Sequence, residues 1–155
     1  MISALFLLQP SEIRAYDGGW AHFSSYNLSY VEKAVTMKTI AVVGSRNFTD
    51  YELLQSVLDQ EKPSGIVSGG AMGADTLAKM YAQKKGIGLR EFLPDYKRYG
   101  RGATFVRNRL IVDAADKVIA FWDGKSKGTL FTMRYAEKKG REVRLVEYSK
   151  VSHPV

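Results

Sequence analysis

From residue 38 onward the chain switches repeatedly between two hydrophobic periods. Short apolar or β-branched runs close on glycine or a polar cluster. Each is followed by a longer segment whose apolar residues recur three and four positions apart. The run at 39–43 ends on Gly44, as a buried parallel strand does. Segment 50–60 places Leu53, Leu54, Val57 and Leu58 on one helical face. A second strand at 65–68 is closed by Gly69 and Gly70. A helix over 74–85 follows, stopped by Gly86. A third strand at 89–93 is broken by Pro94. Residues 94–103 read as a basic, aromatic loop, and Thr104 as the cap of a helix to 115. The fourth strand is 117–122, with a turn over 123–127. A helix over 128–139 is stopped by Gly140, and a fifth strand spans 142–147.

Five strands alternating with four helices predict an α/β domain: a Rossmann-like three-layer fold with a parallel sheet of about five strands. Right-handed crossovers put every strand's carboxyl end on one edge, and ligands of such sheets bind outside that edge. The predicted domain covers 37–148, with 149–155 as a tail. Residues 1–36 lack either period and are rich in aromatics (Tyr16, Trp20, Phe23, Tyr26, Tyr30). They read either as upstream read-through before a start at Met37 or as an extension that packs through its aromatics.

Composition narrows the chemistry. Of 155 residues, 45% are hydrophobic and 25% charged, an ordinary globular balance. With no cysteine, disulfides, thiolate catalysis and cysteine–zinc sites drop out. The two histidines, His22 and His153, lie far in sequence from the glycine clusters, which argues against a histidine triad or metal site. No metal and no cofactor are expected. The apolar run at 4–8 is shorter than the ~7–15 residues of a secretory core, and no stretch nears the ~18 apolar residues of a membrane span. A cytoplasmic location without membrane attachment is the expectation. The net charge of +7 and pI of about 9.6 suit anionic partners, although a solvated basic surface has the same signature.

Four motifs fall where the carboxyl edge is expected. Gly44-Ser45-Arg46-Asn47 follows strand one. Its glycine permits close backbone approach and its arginine offers a fork for phosphate. Ser68-Gly69-Gly70-Ala71-Met72-Gly73-Ala74-Asp75 follows strand two, three glycines before a helix, as in a phosphate-cradling turn. Asp75 either favours the helix dipole or positions a ligand. The segment 96–109 holds Lys97, Arg98, Arg101, Arg107 and Arg109 among Tyr96, Tyr99 and Phe105, a mixture suited to phosphate and a stacked base. Arg107 and Asn108 lie on the predicted helix and are better fixed than the loop cations. After strand four, Asp123 can hold water or a sugar hydroxyl, while Gly128 and Thr129 open a helix that can bind phosphate. Each motif also has a plain reading as a tight turn or solvated surface.

Together these motifs resemble the SLOG superfamily, and most of all its YspA/YpsA-related (DUF2493) branch; the DprA/Smf and LOG proteins are more distant. The matching residues are the strand at 40–43 with Gly44–Arg46, SGGAMGAD at 68–75, Arg107-Asn108, Ala115-Asp116, and WDGKSKGT at 122–129. The match runs from about 37 to 148 and excludes 1–36. The resemblance implies a Rossmann-like pocket for nucleotides or nucleotide-derived ligands. Some relatives are sensors, LOG proteins hydrolyse the N-glycosidic bond of nucleoside monophosphates, and DprA proteins bind single-stranded DNA. LOG enzymes carry P-G-G-x-G-T-x-x-E with a catalytic glutamate. Here Gly128-Thr129 is kept, no Pro-Gly-Gly precedes it, and the glutamate position holds Thr132. If chemistry occurs, the carboxylate falls to Asp75 or Asp123.

The sequence therefore predicts a sensor or carrier domain for a phosphate-bearing nucleotide or derivative. The expected contacts are Gly44, Ser45, Arg46, Ser68, Gly69, Gly70, Gly73, Asp75, Arg107, Asn108, Asp123, Gly128 and Thr129. The rival readings are a phosphoribohydrolase-like enzyme and a single-stranded nucleic-acid binder. A homo-oligomer is compatible with either.

Overall fold

The computed structural model describes residues 37–149. The extension at 1–36, and the 149–155 tail apart from Ser149, lie outside the described residues. Five parallel strands form one sheet: β1 (Thr39–Gly44), β2 (Gly65–Ser68), β3 (Gly88–Glu91), β4 (Lys117–Trp122) and β5 (Glu142–Glu147), in the order β3-β2-β1-β4-β5. The helices are α1 (Tyr51–Glu61), α2 (Ala74–Lys85), α3 (Tyr96–Tyr99), α4 (Ala103–Asp113) and α5 (Lys127–Lys138); a 3₁₀ turn (Gly100–Gly102) joins α3 to α4. This is the expected α/β Rossmann-like arrangement.

Side-chain alternation along the two central strands decides which helices go where. Ile40 and Val42 of β1, with Ile119 and Phe121 of β4, face α1 and α2, packing on Leu54, Leu58, Ala78 and Tyr81. Ala41 and Val43, with Val118 and Ala120, face α4 and α5, packing on Ile111, Val112, Met133 and Ala136. Both strands are therefore apolar on both faces, which is why 39–43 and 117–122 read as unbroken apolar runs. The chain winds outward through β2 and β3, then returns to place β4 beside β1. The switch point lies between β1 and β4, where their carboxyl ends diverge.

Several boundaries differ from the sequence reading. Strand β3 spans Gly88–Glu91 rather than 89–93, because its only partner β2 has four residues and the ladder ends at Ser68 opposite Glu91. Residues 94–103 are not a simple loop. Asp95 accepts from the Arg98 N–H at 3.0 Å and caps the short α3. Helix α4 begins at Ala103 after Gly102, with no side-chain cap, so Thr104 is not its cap. Helix α5 begins at Lys127, one residue early, because Ser126 is its cap. The glycine stops hold: Gly86 is left-handed (φ 64°) and Gly140 likewise (φ 69°). Among the described residues no helix is long and apolar enough to cross a membrane.

Candidate functional site

At the switch point a cleft of about 850 Å³ opens above the carboxyl ends of β1 and β4. Five chain segments line it, the last being Tyr148 and Ser149 after β5. After β1, the Ser45 N–H donates to the Phe121 carbonyl (3.0 Å), and Ser45 Oγ accepts from the Asp123 N–H (3.3 Å). These bonds bury Ser45, and Phe48 stacks on Phe121 at 4.7 Å. The turn is thereby anchored at both ends, and Arg46 and Asn47 are exposed on the cleft wall. Gly44 is needed for closeness of chain to chain: a β-carbon there would lie 2.6 Å from Ala74 Cβ and 2.7 Å from the Phe121 carbonyl oxygen.

The loop after β2 is organised around Asp75. Its Oδ2 accepts from the N–H groups of Gly69 (3.0 Å) and Ala71 (3.1 Å) and faces Arg107 Nη1 at 3.5 Å. Asp75 and Arg107 are both buried. Burial pushes the Asp75 carboxyl above the ordinary aspartate value, against the opposing pull of the two amides and the guanidinium. Burial lowers Arg107, countered by Asp75, and the guanidinium keeps its charge. Gly73, at φ 81°, abuts the carbonyl oxygens of Ser45 and Arg46, so the first and second loops are packed backbone on backbone. Gly70, at φ 64°, points its open side at Leu93.

Helix α4 supplies Arg107 and Asn108, both buried, with Thr104 and Ile111 beside them on the cleft wall. Asn108 Nδ2 reaches the Gly128 carbonyl at 3.5 Å. Among the described residues, Arg107 Nε has no hydrogen-bond partner and neither does Ser68 Oγ, although both are buried.

After β4, Asp123 Oδ1 accepts from the N–H groups of Lys125 (3.0 Å) and Ser126 (2.9 Å). Burial raises the Asp123 carboxyl, but these bonds and one with Ser45 outweigh it, and the group stays below the ordinary aspartate value. Ser126 Oγ accepts from the Thr129 N–H (3.4 Å) and the Thr129 hydroxyl (2.9 Å). The Lys127 and Gly128 N–H groups are left at the open end of the helix, where backbone donors lack carbonyl partners. A β-carbon on Gly128 would meet nothing within 4 Å, so no packing demands a glycine there. The Thr132 hydroxyl donates to the Gly128 carbonyl at 2.8 Å.

Of the residues singled out from the sequence, Gly44, Ser45, Arg46, Asp75, Arg107, Asn108, Asp123, Gly128 and Thr129 line this one cleft. Ser68, Gly69, Gly70 and Gly73 do not line it; they set the loop behind it. Lys125 and Ser126, inside the 122–129 motif but not among the expected contacts, also line the cleft, as does Tyr148, which was missed. The Ser126-x-x-Thr129 spacing is a helix-start signal that could have found Ser126; nothing in the sequence flags Tyr148. The cations of 96–109 separate. Arg107 faces the cleft, whereas Arg109 turns onto the rings of Phe131 and Tyr135. Among the described residues no three His, Asp or Glu side chains are grouped to hold a metal ion.

A doubly wound α/β sheet with a polar, cation-bearing cleft at its switch point defines a Rossmann-like domain. The family described as YspA, cpYpsA-related SLOG matches residues 38–99, and the chain belongs to it. The chain is 35% identical over 115 residues to the Gene 61 protein of Mycobacterium phage D29, spanning 67% of this chain and 92% of that relative. Its fold is shared with DNA processing protein A of Helicobacter pylori, a protein described for its single-stranded DNA binding mode. The TM-score is 0.57 at 23% identity, over 79% of this chain and 70% of the other.

Proposed function

We propose that the cleft binds a phosphate-bearing nucleotide or nucleotide-derived ligand, and that the protein acts as a sensor or carrier for it. The observation that carries this reading is the buried Arg107 guanidinium lining the same cleft as Gly128 and Thr129 at the amino end of α5. Asp75, at 3.5 Å, offsets the buried charge only in part, and a phosphate in the cleft would complete its neutralisation. Arg46 and Lys125 lie on the same wall and add positive charge. Gly128, with no packing reason to be glycine, leaves room for an anion against the helix N-terminus. Calorimetric titration with nucleoside mono- and diphosphates, set beside inorganic phosphate, tests the reading. Saturable heat that is lost in Arg46→Ala supports it; no heat with any of them at millimolar concentration refutes it.

A second reading is that the cleft holds the phosphates of single-stranded DNA. It is favoured by the net charge of +7 and by the likeness to DNA processing protein A. Competition distinguishes the two: under the second reading, an oligonucleotide displaces a bound mononucleotide.

A further inference from the structure

A second groove of about 360 Å³ lies on α4 and α5 and shares no lining residue with the cleft. Its cations are Arg109 from α4 and Lys127, Arg134 and Lys138 from α5. All four are exposed. None forms an ion pair with a carboxylate among the described residues. Between them lie Phe131 and Tyr135, whose rings are near-parallel with centroids 6.4 Å apart. Phe105, itself exposed, stands edge-on to Phe131 at 4.8 Å. The Arg109 guanidinium sits 5.8 Å and 5.7 Å from the Phe131 and Tyr135 rings. The nearby carboxylate, Asp113, is taken by Lys139 at 3.6 Å and by the Tyr135 hydroxyl at 3.2 Å. It therefore does not neutralise the stripe.

Positions 127, 131, 134, 135 and 138 lie on one side of α5, so cations and rings alternate for about 16 Å at 1.5 Å per residue. A helix needing only solubility would carry mixed charge here. This face is unpaired positive charge around two half-buried rings and the exposed Phe105. Charge complementarity selects a polyanion, and the rings select one with flat, exposed bases.

We propose that the α4–α5 face is a binding surface for single-stranded nucleic acid, with the backbone along Lys127, Arg134, Lys138 and Arg109 and bases against Phe105, Phe131 and Tyr135. The surface is separate from the cleft reading and does not depend on it. Lys127 stands next to Gly128, so the two sites meet at the amino end of α5.

The test compares the wild-type protein with Arg134→Gln/Lys138→Gln. Binding of labelled oligothymidylate and oligouridylate is followed by fluorescence anisotropy across a salt series, and mononucleotide binding is measured by calorimetry. Four phosphate contacts give a slope of log affinity against log salt of about −3, and removing two makes it shallower by about 1.4. The expected result is that shallower slope with at least a tenfold loss of oligomer affinity, while melting temperature and mononucleotide binding are unchanged. Oligomer binding that the double variant weakens, without any mononucleotide binding, would sink the mononucleotide reading of the cleft and leave this one standing. No oligomer binding by the wild-type protein, or equal affinity and slope in the variant, overturns the proposal. So does a mass that rises with concentration in the wild-type protein alone, since the stripe would then join two copies of the chain. Preference for one of the two oligomers identifies DNA or RNA as the partner within the supported outcome.

Discussion

The Arg107 guanidinium lies directly over Gly69: a β-carbon on Gly69 would overlap it and come within 2.9 Å of Asp75 Oδ2. The glycine exists for a side chain, where the sequence alone suggested a ligand. Gly69→Ala is expected to destabilise the protein by about 1–3 kcal/mol, as overpacking of a well-filled site does. In an Arg107→Ala background the same change is expected to cost far less, because the obstructing group is gone. Urea unfolding of the four proteins of this cycle checks it. Strictly additive losses would show that the guanidinium is held elsewhere in solution.

Gly73 and Gly128 lie in different loops and separate folding from binding. Gly73→Ala forces a β-carbon onto two carbonyl oxygens at a φ of 81°. A loss of several kcal/mol in stability is expected, from strain and overpacking together. Gly128→Ala enters open space near the start of a helix, where alanine is favoured over glycine by up to about 1 kcal/mol. It is expected to leave the melting temperature equal or higher and to weaken phosphate-ligand binding. A Gly128→Ala protein that binds normally by calorimetry would place the ligand away from α5.

Arg46→Ala is expected to lower ligand affinity ten- to a hundredfold, the roughly 1.5–3 kcal/mol of one charge-assisted bond. Arg46 is exposed, so its loss is expected to leave the unfolding curve unchanged. Titration calorimetry beside chemical denaturation reads both effects.

At the opposite edge of the sheet, Glu61 accepts from Lys117 (2.8 Å) and Arg144 (2.9 Å). Burial opposes its ionisation, but the bonds to Lys117 and Arg144 prevail and hold the carboxyl down at about 2, against an ordinary 4.5. A carboxylate lowered in the folded state stabilises at pH values above the unfolded-state value. That stability fades as pH falls from about 4.5 toward 2. The full effect is worth roughly 3 kcal/mol. Unfolding free energy measured from pH 6 to pH 2 is expected to fall less steeply in Glu61→Gln. Identical slopes would remove Glu61 from the account.

Release of free base from nucleoside monophosphates is expected to be absent. Cleaving an N-glycosidic bond calls for an acid at the base or a carboxylate at the sugar, by analogy with glycoside hydrolysis. The Thr132 hydroxyl is committed to the Gly128 carbonyl, Asp75 to two backbone amides, and Asp123 to its own turn. Chromatography of prolonged incubations tests this. Turnover at about 1 per second or faster would overturn it, and Asp75→Asn and Asp123→Asn would then be compared for loss of rate.

The strands at 65–68, 117–122 and 142–147 were legible to the residue, because apolar runs bounded by charge or glycine leave little freedom. The third strand was overextended: where an edge ladder ends depends on the length of β2, which no local pattern in 89–93 records. The residues of the cleft were legible as motifs, since strand ends are marked by the glycines and small polar residues that follow them. What each glycine does was not. Gly44, Gly69 and Gly73 make room for other parts of the chain, and the same letter serves a packed neighbour as readily as an anion. Arg107 and Arg109 show the remaining limit. Residues two apart on a helix face different ways, but with the start of α4 misplaced it was the Arg107-Asn108 motif, not helix phase, that singled out Arg107.

The seating of Gly73 on the backbone of Ser45 and Arg46 has a thermodynamic consequence. Main-chain contact between the two loops fixes the cleft wall that carries Ser45 and Arg46 as the chain folds. The conformational entropy of that wall is surrendered once, during folding, and a guest arriving later has little left to organise. Under the proposed function, recognition then depends on how well the guest replaces the water it strips from Arg46 and the α5 amides. Small, rigid anions gain most from such a pre-set surface.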